Sequence, residues 1–231
     1  MCYTGCMHKS VYEKLRRQVE KRGHGAVFVT REFLELGSRA AVDEALSRLA
    51  KEGVVRRLGR GLYDYPRLHP VFGPVHADPD QVAAALARKT GSRLQIAGAR
   101  AANALGLSTQ IAARPVYLTD GRRHTIQVGG QTIELRHAAP RSLAGAGRIE
   151  GTVIQALRHL GPDQIGADTV ARLRQTLTSG EKEALRREAP NAPGWLVPIL
   201  QEIARLEEGG PKQGVDAGTS GGRSRMSRSS A

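Results

Sequence analysis

The stretch SRAAVDEALSRLAKEGVVRRLGRGLYDYP, Ser38–Pro66, decides the fold. Val42, Ala45, Leu46 and Leu49 recur at the spacing of one buried helical face, and Ser38 stands where an N-cap belongs. Lys51 falls in the last turn, and Gly53 takes the left-handed position just past the end. Val54–Leu58 then reads as a strand that carries Arg56 and Arg57 into the turn Gly59-Arg60-Gly61. The return strand is Leu62–Tyr65, closed by Pro66. A helix followed by a basic hairpin is the core of a winged helix-turn-helix.

Working upstream, Ser10 opens a helix to about Arg22, with Val11, Leu15 and Val19 on one face. Gly23 and Gly25 bracket His24 in a turn, and the apolar run Ala26–Val29 suits a short strand. Thr30 is expected to cap a second short helix, Arg31–Leu36, which Gly37 closes. Only Gly37-Ser38 then separates it from the next helix, the tight helix-turn-helix spacing. The leader 1–8 holds both cysteines, Cys2 and Cys6. With His8 they make a weak zinc pattern, and a disordered end is the expectation.

The winged order assigns roles. Away from the Val42/Leu46/Leu49 stripe the third helix presents Ser38, Arg39, Ala40, Asp43, Glu44, Ser47 and Arg48, the face expected to enter a major groove. Arg39 suits a guanine edge and Ala40 a thymine methyl. Thr30 and Arg31 suit phosphates, and Arg57 and Arg60 suit the backbone or minor groove. The plainer alternative is that Arg39 and Arg48 pair with Asp43 and Glu44 on a solvated face. A protein-docking role for the module also stays open.

The 231 residues carry a net charge of +13, which favours a polyanionic partner. Residues 1–80 hold 14 Lys/Arg against 10 Asp/Glu, whereas 81–150 hold 10 against 3. The most basic part is therefore not the module that reads as the DNA binder. Two cysteines in a leader exclude a disulfide scaffold for the body and fit a cytoplasmic setting. The longest apolar run, Val82–Ala87, is far too short to span a membrane, so no membrane partner is expected.

Residues 67–79, with Pro70, Pro74 and Pro79, read as an extended linker. A second domain over 80–208 begins with the helices Asp80–Thr90 and Ile96–Leu105. Strands Pro115–Thr119, His124–Val128 and Thr132–His137 follow, the last two joined by Gly129-Gly130, a hairpin signal. Arg114, Arg122, Arg123, Arg136 and Arg141 gather around this sheet as a possible second basic surface. Four helices are expected beyond it, Arg148–Leu160, Asp168–Leu177, Ser179–Arg187 and Trp195–Glu207, with Trp195 in the core. Residues 209–231 read as a disordered basic tail. The fold class is thus α+β: an N-terminal winged helix-turn-helix over 9–66, then a mixed α/β domain with a small antiparallel sheet and C-terminal helices.

Catalytic patterns do not accumulate. The run Gly145–Gly151 misses GxGxxG by one residue, and no P-loop, HExxH or GxSxG occurs. Asp78-Pro79-Asp80 and Gly91-Ser92 stand in the wrong order for a nucleotidyltransferase site. A non-enzymatic chain with no cofactor and no metal is the expectation.

The run VFVTREFLELGSRAAVDEALSRLAKEGVVRRLGRGLYDYP, with the later blocks LQIAGARAANALGLSTQ and PVYLTDGRRHTIQVGGQTIELRHA, resembles the AbiEi-type antitoxins of bacterial type IV toxin–antitoxin systems. The likeness spans about Ser10 to Leu206, and RLGRGLYDYP is its most specific part. It implies an N-terminal winged helix that binds double-stranded DNA at its own promoter and represses it. It also implies a C-terminal domain that counteracts a nucleotidyltransferase-fold toxin, without requiring a stable complex. The alternative from the residues is a stand-alone winged-helix regulator whose second domain dimerises or senses a ligand.

Overall fold

The computed structural model describes residues 10–110 and 114–206; the leader with Cys2, Cys6 and His8 and the basic tail from 209 onward lie outside the described residues. Helix α1 spans Val11–Arg22. Its start is a capping box, Ser10 Oγ accepting from the Glu13 N–H while the Glu13 carboxylate accepts from the Ser10 N–H. Strand β1 (Val27–Val29) follows, and then a 3₁₀ segment, Thr30–Leu36, where an α-helical turn was expected. Helix α2 (Arg39–Lys51) begins on the Ser38 cap, as its sequence predicts, and ends at Gly53, whose φ of 73° is left-handed. Strands β2 (Arg56–Gly59) and β3 (Leu62–Asp64) close the wing around Gly61, φ 64°. The sheet order is β1–β3–β2, all antiparallel.

This three-stranded sheet is covered on both faces. Phe28 and Tyr63 turn toward the helices and join Leu15, Val19, Phe33, Leu46 and Leu49 in the first core. Val27, Val29 and Leu62 turn the other way, into a second core with Val82 and Leu86 of helix α3 (Pro79–Thr90). Alternation along a strand sends successive side chains to opposite faces, so an uninterrupted Val-Phe-Val run needs cover on both. The winged module therefore has no free back. Burying three such side chains contributes about 4–9 kcal/mol, on the scale of a whole domain's stability.

Residues 67–79 do not run extended. Strands β4 (Leu68–His69) and β5 (Gly73–Pro74) pair as a small hairpin, and Gly73 supplies the positive φ its turn needs. Beyond α3 the chain forms a strand that the sequence reading missed, β6 (Leu94–Ile96), before helix α4 (Gly98–Ala104). Strands β7 (Val116–Thr119), β8 (His124–Val128) and β9 (Gln131–His137) complete a four-stranded sheet of order β6–β7–β9–β8. Its pairs are antiparallel except β7–β9, which are parallel. Gly129 and Gly130 both take positive φ in the β8–β9 turn. Ile133 and Leu135 are buried, while His137 is exposed at the strand end.

Helices α5 (Ile149–Leu160), α6 (Ala167–Thr176), α7 (Ser179–Glu188) and α8 (Val197–Ile203) pack with α4 into a third core around Leu157, Leu173, Leu185 and Leu200. The capping box of α7 uses Thr178 and Glu181, with Thr178 standing one residue before the expected helix start at Ser179. The expected final helix divides: Gly194–Leu196 is a 3₁₀ turn, and Trp195 lies 42% exposed instead of in the core. Gly151 sits inside α5 where a Cβ would lie 2.4 Å from the Gly145 carbonyl oxygen, so the glycines of 145–151 serve close packing. Among the described residues no helix is long and apolar enough to cross a membrane.

Because the first two cores share one sheet, the chain should unfold without a separate N-terminal transition. Leu62→Ala is expected to remove about 2–5 kcal/mol and to move one calorimetric peak. Two resolved peaks, with only one shifted, would contradict the shared sheet.

Candidate nucleic-acid interface

Ser38, Arg39, Ala40, Asp43, Glu44, Ser47 and Arg48 all lie exposed on α2, on the face opposite its buried Val42, Leu46 and Leu49. The face is electrically balanced. Arg39 Nε donates to Asp43 at 3.0 Å, and Arg48 Nε donates to Glu52 at 3.0 Å. Arg48 also lies 4.4 Å above the Tyr12 ring, and the Tyr12 hydroxyl donates to Glu52. Arg48 is thus held against α1, so it fits packing better than base reading. The Arg39 pair is exposed and four residues apart, a contact contributing only about 0.3–0.5 kcal/mol, which a better anion or acceptor displaces readily.

The wing carries the uncompensated charge. Arg57 donates only to the Gly59 carbonyl, at 3.3 Å, and neither Arg57 nor Arg60 pairs with a carboxylate among the described residues. Arg56, by contrast, is structural: it grips buried Asp64 through Nε at 3.2 Å and a terminal nitrogen at 2.6 Å, and also donates to the Val75 carbonyl.

From the wing the positive surface continues onto the second unit. Lys89, near the C-terminal end of α3, donates through Nζ to the Arg60 carbonyl at 2.5 Å. Arg31 donates to the Lys89 carbonyl at 2.8 Å. A Cβ on Gly59 would lie 3.6 Å from Ile126 Cδ1, so the wing turn abuts β8. Lys89 then lines a common cavity with Arg122, Arg123 and His124, at the start of β8. Arg31 and Arg60, assigned to the winged helix, and Arg122 and Arg123, assigned elsewhere, thereby fall on one track. Lys89 and His124 were missed. Lys89 lies in an alanine-rich helix, and only the contacts with residues 29 and 58 positions earlier reveal its place.

Three expected residues leave the track. Thr30 is 2% exposed under the wing turn, its hydroxyl without a partner, so it cannot touch a phosphate. Arg114 precedes β7, at the opposite end of that strand from Arg122. Arg141 donates to the Asn191 carbonyl on the helical side. Arg136 stays nearby but shares Glu134 with Arg123, at 2.9 and 2.6 Å. These two arginines hold the Glu134 carboxyl below its usual range, Arg136 having the larger influence.

The joint between the units is polar as well as apolar. Burial pushes Glu32 toward the neutral acid, but hydrogen bonds from Arg22 and Arg88 outweigh it and leave its pKa lowered. Burial likewise acts against the charge of Asp80, and the Arg100 and Tyr117 donors again win, lowering its pKa. Asp78 caps α3 by accepting from the Asp80 N–H at 2.7 Å, so both carboxylates of Asp78-Pro79-Asp80 are structural. A carboxyl with a lowered folded pKa stabilises the fold fully above its unfolded value and loses that contribution as pH falls through the folded one. Stability is therefore expected to fall below about pH 4, and Asp80→Asn should flatten that fall in urea midpoints measured across pH. A second check concerns Thr30. Replacing its orphan hydroxyl by a methyl in Thr30→Val should raise stability by about 1 kcal/mol, read as a higher melting temperature.

No curated protein matches the chain. Among solved structures it is similar to the RV2827C protein from Mycobacterium tuberculosis, at 18% identity and a TM-score of 0.40, over 84% of this chain and 75% of that one. The model of a family of unknown function, DUF6088, matches residues 14–185, about three quarters of the sequence, and the chain belongs to that family.

Proposed function

We propose that the chain is a cytoplasmic, non-enzymatic DNA-binding antitoxin. In this reading it represses its own promoter and counteracts a nucleotidyltransferase-fold toxin. The observation that carries the DNA-binding half is the exposed, charge-balanced face of α2 beside a wing whose Arg57 and Arg60 have no carboxylate partner among the described residues. Such an arrangement separates two tasks. The face of α2 offers Arg39, Ala40, Asp43 and Ser47 to base edges, and the wing with Arg31, Lys89 and Arg122 offers charge to phosphates. The antitoxin half rests on the likeness of RLGRGLYDYP and the two later blocks to AbiEi-type antitoxins. The second reading, a stand-alone regulator with a sensing domain, is favoured by the cavity lined by Lys89, the residue that holds the wing's Arg60 carbonyl.

Protection of a segment of upstream DNA by the full chain is the expected result of a footprint. On that segment Arg39→Ala should cost about 1–3 kcal/mol and relax preference at one base. Arg57→Ala and Arg60→Ala should weaken all duplexes similarly and lower the salt slope by about one each. Unchanged operator affinity and preference in Arg39→Ala would remove α2 as the reader. Co-expression with the adjacent gene separates the two readings, since an antitoxin restores growth and a plain regulator does not.

A further inference from the structure

The cavity between the end of α3 and the β7–β8 loop has a volume of about 520 Å³, within the range of small-ligand sites. Leu86 and Leu135 give it an apolar floor, and Lys89, Arg122 and Arg123 give it a cationic rim beside His124, with no carboxylate among the described residues of the lining. Glu134, the nearest acid in the hydrogen-bond pattern, is already shared between Arg123 and Arg136, and Asp120 is taken by Arg93 at 3.0 Å. Arg122 has no ion pair or hydrogen bond among the described residues. A rim of this kind retains unspent positive charge around an apolar pocket.

The hydroxyls add a second requirement. Thr90 Oγ1 donates to the Leu86 and Ala87 carbonyls, at 3.3 and 3.2 Å, and lies 2.7 Å from Ser92 Oγ. Either hydroxyl can donate within that pair, and in both cases Ser92 Oγ keeps a lone pair that can accept. Ser92 lines the cavity, so that acceptor is available to a ligand. The same bonds, with the Gly91 and Ser92 N–H groups on the Ala87 carbonyl, cap the negative end of α3 beside the cationic rim. A matching ligand carries an anion for the rim, a flat apolar body for the floor, and N–H or O–H groups for Ser92. Fatty acids lack the donors and inorganic phosphate lacks the body.

We infer that this cavity binds a small phosphorylated ligand of the nucleotide class, and that Lys89 links its occupancy to the wing. Lys89 Nζ spans the gap, since it lines the cavity and holds the Arg60 carbonyl at 2.5 Å. A bound phosphate competes for that ammonium and for Arg122, so ligand and duplex DNA oppose one another, and the opposition is reciprocal. The coupling to DNA rests on the function proposed above, whereas binding of the ligand does not.

Calorimetric titration of the full chain with adenosine and guanosine 5′-monophosphates, without DNA, tests the site first. Saturable one-to-one binding of either is expected, at least about tenfold tighter than inorganic phosphate, pyrophosphate or the parent nucleosides. Arg122→Ala and Lys89→Ala should each weaken it by about tenfold or more while leaving the melting temperature within a degree or two. Arg39→Ala, remote from the cavity, should leave it unchanged. Absence of saturation at millimolar nucleotide overturns the site, and so does pyrophosphate binding as tightly as the nucleotide, which would indicate charge attraction alone. The link to the wing is read next, as a several-fold loss of duplex affinity at saturating nucleotide that disappears in Lys89→Ala. If nucleotide binds and duplex affinity is unmoved, the coupling is overturned. If no duplex binds at all, the failure lies in the DNA-binding reading and the nucleotide result stands separately.

Discussion

The constraint on which the rest depends is that a three-stranded sheet of ten residues is buried on both sides. Phe28 and Tyr63 serve one core, and Val27, Val29 and Leu62 serve the next. A sheet this small buries little by itself, so each face needs an outside partner. The helices α1 and α2 provide one, and α3 with the larger sheet provides the other. The wing is therefore an internal layer with an exposed turn, and not an appendage of the first domain.

Burial on both faces makes the polar edges of that sheet expensive to leave unmatched, and the arginines follow from this. Asp64, 1% exposed, is matched by a two-pronged grip from Arg56, which reaches on to the Val75 carbonyl. Arg88 donates to the Val27 carbonyl at 2.9 Å and to Glu32 at 2.7 Å. Such pairs contribute more to which arrangement forms than to net stability, because desolvating the charges offsets much of their attraction. In this chain they fix how α3 meets the winged sheet, and so they fix where Lys89 and Arg122 stand relative to Arg60.

How much of this was legible in the sequence follows from which contacts are local. Helix α2, its Ser38 cap and its Gly53 stop depend on neighbours within four residues, and the sequence specifies them directly. The wing and the Gly129-Gly130 hairpin are likewise short-range. Strand β6 was missed because Leu-Gln-Ile runs straight into Ala-Gly-Ala-Arg, and the alanines extend the helical pattern backward. Its pairing with β7 becomes visible only across more than twenty residues. The parallel β7–β9 pair was hidden for a related reason: β8 lies between the two in sequence and outside them in space. Thr30 was misassigned because a capping residue and a buried one look alike until the 3₁₀ geometry is known. Of the basic residues, type and number were readable, but pairing was not. Glu134 selects Arg123 and Arg136, Asp120 selects Arg93, and Arg57, Arg60 and Arg122 are left without a carboxylate among the described residues.

That sorting of arginines explains why α2, the helix proposed to read DNA, is nearly neutral in so basic a protein. Within α2 and its C-cap, the three cations Arg39, Arg48 and Lys51 are balanced in number by Asp43, Glu44 and Glu52. A helix with a strong net charge would hold any duplex in any register, since phosphates are everywhere along DNA and carry no sequence information. Under the proposed DNA-binding reading, balanced charge on α2 keeps non-specific attraction low at the surface that would discriminate. The attraction would instead fall to Arg57, Arg60, Arg31, Lys89 and Arg122, which lie off the exposed face of α2. Because those residues belong to two different units clamped on one sheet, the orientation of the attractive surface relative to the discriminating one is set by the core. The buried face of Val27, Val29 and Leu62 thus does more than stabilise: it holds the two halves of the proposed interface in register.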